Sequence, residues 1–565
     1  MNLVILFLNS ITVFEPCFSI FDIISNIPKT CLNSSYQMMK SKIVLKFLAG
    51  IVAFVLLLMF LMAVIVEPLV REKIQTSFNK NSSDYLLKID KVHISIIHSG
   101  IELENIILSS KHVHGDIPDL TGEIASVNFK GIKLVKALFK NEFDIREVTI
   151  FNSRIKGKIS FPKKANPPKI SSLNVRIDSL FFDKLVVEIK DSATAQAYSI
   201  KDGVLKIYDI QIGKRDILSP KILTKFDFDV QELHSVSADS MYTITAIGTS
   251  YSANSKTLKV GNFSIHPNYK DYAFTSRYKF ETDRIEADLN SIYFHNFSAV
   301  NYLKTRSIVS SYIEIGKMEL NAFRDNRKEF RHINKLAFQD MIYNYPGTID
   351  IDSVGIVNGN ITYIEHAMEA TEPGVITFNE LNAKIYKISN DTIYKGGNVF
   401  LELHAKALIM DKGKMTVSLK SKLFDNRNTF SVDGILSGMD VNELNPMLEK
   451  NAFIYTTSGK IDKMKFQFTA NNTKAKGTMT LLYHGLDVTM KNKRTDDTTS
   501  VKSWVLSILA NKMIIDSNPV PGEKVRIGMI DQDRDPERFL FNYCFKSILS
   551  GIKSSLEKAP TKRNK

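Results

Sequence analysis

The sequence predicts a mainly β protein with few helices, carried on an N-terminal transmembrane helix. Three observations lead there: an uncharged apolar run near the start, a long middle with a period of two, and a strand pattern that is written twice. Composition agrees, since 44% of the 565 residues are hydrophobic and 24% charged, as in ordinary folded chains, while Phe 35 and Tyr 20 against Trp 1 favour strands.

From Phe47 to Val66 the stretch FLAGIVAFVLLLMFLMAVIV holds 20 residues without a charge. At about 1.5 Å per residue it makes a helix of about 30 Å, the thickness of a hydrocarbon core, so a transmembrane helix is placed over 43–66. The run is longer than the apolar part of a signal peptide, and no small-residue cleavage site follows it. Lys40, Lys42 and Lys46 before the span nearly balance Arg71, Lys73 and Lys80 after it, so charge alone leaves orientation open. Residues 1–38 carry the apolar stretch LVILFLNSITVF at 3–14, too short to span. Met39, followed by Lys40 and Lys42, reads as a natural start, which makes 1–38 an over-long leader.

Between Tyr85 and about Met490 apolar and polar residues alternate, as in LKIDKVHISI at 87–96, SGIELENIIL at 99–108 and KMTVSLKSKLF at 414–424. Successive side chains of a strand point to opposite faces, so this is the pattern of half-buried strands. Asp202-Gly203, Gly396-Gly397, Lys412-Gly413 and Asp433-Gly434 supply turn signals between them.

The pattern repeats. SVNFKGIKLVKAL at 126–138 matches SIYFHNFSAVNYL at 291–303, setting Val127 with Ile292 and Phe129 with Phe294. LKIDKVHI at 87–94 matches LKVGNFSI at 258–265, IREVTIFNSR at 145–154 matches IGKMELNAFR at 315–324, IDSL at 177–180 matches IDSV at 351–354, and KIY at 206–208 matches KIY at 384–386. Collinear matches offset by 165 to 178 residues predict a duplicated unit. They define one β repeat over 85–255, a second over 256–397 and a third β stretch over 398–490.

This much half-apolar sheet needs a cover. LVKALF at 134–139 and AVNYLK at 299–304 offer a helical turn or two at most, so helices are scarce. Two architectures satisfy the alternation equally: an array of sandwiches, or a long curled sheet whose concave face, lined by Val127, Phe129, Ile292 and Phe294, is covered by lipid chains.

After the strand pair GTMTLLYHGLDVTM at 477–490, the polar run 491–500 reads as a loop and the chain turns helical over 501–558. VKSWVLSILANKMII at 501–515 sets Trp504, Val505, Ile508 and Leu509 on one stripe. Pro536 opens a second helix that lines up Leu540, Tyr543, Cys544, Ile548, Ile552 and Leu556. Such a helix either caps the end of the sheet or lies on a membrane through Leu540, Tyr543, Ile548 and Ile552.

The net charge of +14 and pI of about 9.2 suit an anionic surface. The basic residues are spread along the chain, without an Arg-rich arm or a nucleic-acid module, which argues against nucleic acid. Cys17, Cys31 and Cys544 are too few for a disulfide framework or a zinc site. No phosphate-binding glycine loop, zinc-protease helix or nucleophile elbow is present, so no enzyme and no cofactor are expected. His93, His98, His112 and His114 read as surface residues, and DQDRDPER at 531–538 as a salt-bridged loop.

In the order of its parts the chain resembles the AsmA-like family of bacterial envelope proteins, related in form to bridge-like lipid-transfer proteins built from repeating β-grooves. The resemblance rests on a membrane helix running into EPLVREKIQTSF at 67–78, strand blocks such as IREVTIFNSRIKG at 145–157, and the ending from GTMTLLYHGLDVTM through NPVPGEKVRIGMIDQDRDPERFLFNYCFKSILSGIKSSL. It implies a long curled β-sheet groove of tandem repeats closed by C-terminal helices. It also implies a single-pass anchor in the bacterial inner membrane, with the large C-terminal part in the periplasm. The function implied is conduction of phospholipid or another acyl-chain lipid in support of outer-membrane lipid homeostasis, with the inner membrane and envelope assembly proteins as further partners. The alternative is a membrane-tethered scaffold or assembly factor without lipid transfer.

Overall fold

The computed structural model describes residues 40–557 apart from 83, 96–98, 112, 115–116, 134–141, 160–173, 193, 213–224 and 491–514. The expected leader at 1–38, the turn at 134–139 and the Trp504 helix lie outside the described residues. The chain is mainly β, with 58% strand and 19% helix.

A continuous helical rod opens the described chain: α1 (Lys40–Leu61), a π-helical turn (Met62–Val66) and α2 (Glu67–Asn81). Pro68 falls in the first turn of α2, where its fixed φ suits a helix start. Residues Gly50–Lys80 form a helix long and apolar enough to cross a membrane. Leu56, Met59 and Phe60 along it are 59%, 63% and 62% exposed, as lipid-facing residues are.

The chain divides into two compact units, Met1–Ala238 and Asp239–Lys565. In the first, β1 (Tyr85–Ser95), β2 (Gly100–Ser110) and a small hairpin of β3 (Val113–His114) and β4 (Ile117–Pro118) come first. They are followed by β5 (Leu120–Lys130), β6 (Glu142–Ile159), β7 (Asn174–Asp191), β8 (Ala197–Ile212) and β9 (Lys225–Val236). Apart from the hairpin, each strand pairs with the next; only β6 and β7 pair in parallel. Residues directly opposite one another form rows across the sheet. Phe129–Val148–Leu180–Ile207–Phe226 is one such row, and Asn128–Thr149–Phe181–Lys206–Asp227 is its neighbour on the other face. The first face is apolar and the second polar, and on the second the Lys206 ammonium sits 5.1 Å over the Phe181 ring.

The second unit runs β10 (Tyr242–Ser252), β11 (Thr257–Pro267), α3 (Asp271–Thr275), β12 (Asp283–His295), α4 (Ala299–Thr305), β13 (Ile308–Ser310), β14 (Tyr312–Ile315), β15 (Met318–Asp325), α5 (Phe338–Tyr343) and β16 (Ile349–His366). It continues with β17 (Gly374–Ser389), β18 (Phe400–Ile409), β19 (Gly413–Lys422), β20 (Phe430–Asp440), α6 (Asn445–Asn451), β21 (Ile454–Ala470), β22 (Lys474–Met490), β23 (Ile527–Asp533) and α7 (Leu540–Leu556). The short strands β13 to β15 pair in parallel with β16, and the ladders from β16 to β23 are antiparallel.

The two units repeat one pairing pattern. Phe129–Val148–Leu180–Ile207 and Phe294–Ile313–Val354–Ile385 each cross four strands, with the parallel joint at the same step. The paired IDSL and IDSV segments and the paired KIY segments therefore occupy matching places. LKIDKVHI and LKVGNFSI do not: β11 lies beside β12, whereas β2 separates β1 from β5. Any two half-buried strands share a period of two, so that match carried pattern without position.

Candidate functional site: an apolar sheet face

Edge strands expose unpaired backbone groups, and a helix deals with this at β1. Glu67, Arg71, Gln75 and Asn79 recur every fourth residue on α2 and so share one stripe. The Ile94 N–H donates to Glu67 Oε1 at 3.0 Å, Arg71 Nη1 donates to the Asp90 carbonyl at 2.7 Å, and the Ile89 N–H donates to Gln75. Asn79 takes the Leu87 N–H at 2.7 Å and donates to the Leu87 carbonyl at 3.1 Å. The adjoining stripe, Val70, Ile74 and Phe78, is buried.

At β23 the last helix does the same with serines. The Met529 N–H donates to Ser554 Oγ at 2.9 Å and the Asp531 N–H to Ser550 Oγ at 3.2 Å. The helix lies close: a β-carbon on Gly528 would stand 2.2 Å from Ser555 Oγ and 2.5 Å from the Gly551 carbonyl. Tyr543 is buried, and Leu540, Ile548 and Ile552 pack on a core that contains Phe466, Met479 and Ile530. The residues expected to touch a membrane thus lie against the sheet. Phe541 and Phe545 are the exposed ones, at 63% and 44%, with their rings stacked at 6.5 Å.

Between β10 and β23 the apolar face is unbroken. One row reads Tyr251–Leu258–Phe294–Ile313–Val354–Ile385–Leu403–Leu419–Val432–Phe468–Gly477–Ile530. The next on that face reads Val260–Ile292–Ile315–Ile356–Ala383–Ala405–Val417–Gly434–Phe466–Met479–Gly528. On the opposite face, Lys259, Tyr293, Glu314, Gly355, Lys384, His404, Ser418, Asp433 and Gln467 form the corresponding row. That face is wet, with Lys420 paired to Glu402 at 2.8 Å.

The ends of the strands make two rims. Gln339 of α5 donates to Ser421 Oγ at 2.9 Å, and Ile342 packs with Leu401 and Leu423, which roofs one rim. At the other rim Asn445 donates to the Thr456 carbonyl of β21 at 2.9 Å, while Asn451 donates to Glu365 of β16 at 2.9 Å. In a flat sheet these two strands would stand about 24 Å apart, whereas a helix the length of α6 spans only about 10 Å, so the sheet bends around it.

Within this frame burial is uneven. Val432, Phe466, Met479 and Ile530, beside α7, are 4%, 1%, 1% and 2% exposed. Val354, Ile356, Ala383, Ile385, Leu403, Ala405, Val417 and Leu419 are only half-buried.

Each of the four residues proposed from the sequence as groove lining lies on the apolar face of its own unit. Val127, Phe129 and Ile292 are buried, however, and Phe294 is half-buried with its ring 5.6 Å from that of Phe297. The more open stretch is Ile385, Leu403, Val417 and Leu419, in segments where alternation was visible but no cover could be assigned.

Polar side-chain contacts hold the charged motifs. Asp531 meets Lys474 at 2.6 Å, Glu537 meets His332 at 3.0 Å and Arg538 meets Glu281 at 3.2 Å. His93 lies between Glu67 at 3.6 Å and Glu104 at 3.7 Å; His98 and His112 are outside the described residues. Among the described residues no three His, Cys, Asp or Glu side chains are grouped to hold a metal ion. Burial pushes the Cys544 thiol up to about 12, which keeps it in its unreactive form. No protein-family model matches the chain, and no curated protein does either.

Proposed function

We propose that this chain is a membrane-anchored protein that binds lipid acyl chains on the apolar face of its second unit and conducts them along it. The observation that carries the reading is the row through Val354, Ile385, Leu403 and Leu419, which continues an apolar core yet stays only half-buried on a face whose reverse is polar. Soluble proteins rarely leave a contiguous apolar patch of more than a few hundred Å² in water, and each Å² left wet forgoes about 25 cal/mol. An acyl chain would recover that energy without demanding a hydrogen bond. Residues 40–81 supply an unbroken helical link from a membrane-spanning segment to the sheet, which suits a protein that takes its cargo from a bilayer.

The order of parts supports an AsmA-like envelope protein of the bacterial inner membrane with its sheet in the periplasm, moving phospholipid for the outer membrane. Native mass spectrometry of the full chain in mild detergent tests the reading. Wild type should retain phospholipid, and Leu403→Glu and Val417→Glu should lose it while still folding and unfolding in one cooperative, modestly lowered thermal transition. Wild type without bound lipid would remove the reading and favour the membrane-tethered scaffold.

A further inference from the structure

Because β15 and β16 are parallel, the connection between them, residues 326–348, must carry the chain from one rim of the sheet to the other. It crosses on the apolar side, since α5 within it packs on Leu401 and reaches Ser421, which share the face of Leu403 and Leu419 by alternation. From Asn326 to Ala337 this strap has no helix, and its one strand-like contact is the bridge from Glu329 to Phe280.

Near its start the Asn326 N–H donates to the His366 carbonyl at 2.9 Å and the Glu329 carbonyl accepts from the Glu281 N–H at 2.9 Å. Arg327 Nε and Nη2 donate to the Asp325 carboxylate at 2.8 and 2.9 Å where the strap begins. Midway it meets the residues that lead into α7. There the Lys335 N–H donates to the Pro536 carbonyl at 2.8 Å, His332 Nδ1 stands 3.0 Å from Glu537 Oε2, and the Arg538 guanidinium lies 3.8 Å over the Phe330 ring. Ile333, Leu336, Phe338 and Met341 along the strap and α5 are 40%, 53%, 37% and 53% exposed, while Ile342 is buried against Leu401 and Leu423, so the connection rests on the apolar face through one end of α5 and leaves those four apolar side chains outside.

We propose that the strap is a gate: acyl chains reach the half-buried face of β16–β19 when residues 330–335 part from residues 536–538, and the closed strap bars them from it. The inference rests on the lipid reading and specifies its point of control.

Lys335→Cys with Pro536→Cys tests it, because the hydrogen bond between these backbones sets their Cα atoms within the reach of a disulfide. The full-length double variant, in nanodiscs, would be offered fluorescent phosphatidylethanolamine in vesicles, and uptake timed when oxidised and when reduced. Oxidation should slow uptake at least tenfold, reductant should restore it, and neither single variant should respond to oxidation. Equal uptake by the oxidised and reduced double variant would overturn the gate and leave lipid binding standing. No uptake by wild type or by the reduced variant would overturn the lipid reading, and the gate with it.

Discussion

Beneath α7 and across β17–β19 the second unit presents the same apolar rows, and the two stretches differ in what lies on them. Under the helix, Phe466, Met479 and Ile530 are sealed into a core, and Gly528 and Gly551 let helix and sheet approach closely. Four strands away, Leu403 and Leu419 carry the same chemistry and remain half-buried. Alternation thus specifies that a face is apolar, while the cover is decided by whichever segment elsewhere in the chain can fold back onto it. Where the cover is partial, as along β17–β19, apolar surface is left for a ligand.

The contrast should appear most strongly in stability. Phe466→Ala removes a ring from a closed core and is expected to cost about 3–5 kcal/mol, whereas Leu403→Ala should cost only about 1 kcal/mol. Urea unfolding followed by circular dichroism measures both. Similar losses would mean that the middle of the face is as sealed as its end.

Overpacking gives the next effect. Gly528→Val forces a side chain into the α7 backbone and should destabilise by about 2–3 kcal/mol, with hydrogen exchange in α7 accelerated, while Ala405→Val should change stability by less than about 1 kcal/mol. A silent Gly528→Val would show that the helix is not held on the sheet as described.

The rim bent around α6 yields a third comparison. Asn445 accepts from the Thr456 N–H at 3.0 Å and from its hydroxyl at 2.9 Å, and both groups are buried. Asn445→Ala should cost about 2 kcal/mol by leaving them unmet, whereas the exposed Asn382→Ala should be close to neutral. Thermal melts of the two variants separate a buried rim contact from a solvated position in mid-strand.

The smallest expected effect depends on pH. The Arg327 guanidinium holds the Asp325 carboxylate below the usual aspartate range. A depressed folded pKa gives stability that is present at neutral pH and is lost as pH falls through the folded value, below about 4. Asp325→Asn should therefore destabilise by about 1 kcal/mol at pH 7, a figure kept low because Arg327 is partly exposed, and the penalty should fade by about pH 2. A penalty independent of pH would show that the ion pair is not its source.

Much of the fold was legible in the sequence because two signals are local. Twenty uncharged residues from Phe47 to Val66 mark the membrane helix, and alternation in KMTVSLKSKLF marks a half-buried strand. The site was less legible because cover is a long-range property. Val127 and Phe129 have the same alternation as Leu403, yet they are buried where Leu403 is not. The helical stripe of Leu540, Tyr543, Ile548 and Ile552 suits a membrane and a sheet equally, and only the glycines at 528 and 551 point to the sheet. The strap was invisible, since nothing in residues 326–337 announces that β15 and β16 run parallel.

The most direct test places a photoreactive phenylalanine analogue at Leu403 or at Ile530 in cells and identifies what it captures. Crosslinks to phospholipid from position 403, with none from position 530, are the predicted result. Equal capture at both positions, or none at 403 in protein that still folds, would contradict the claim that this part of the face is held open for lipid.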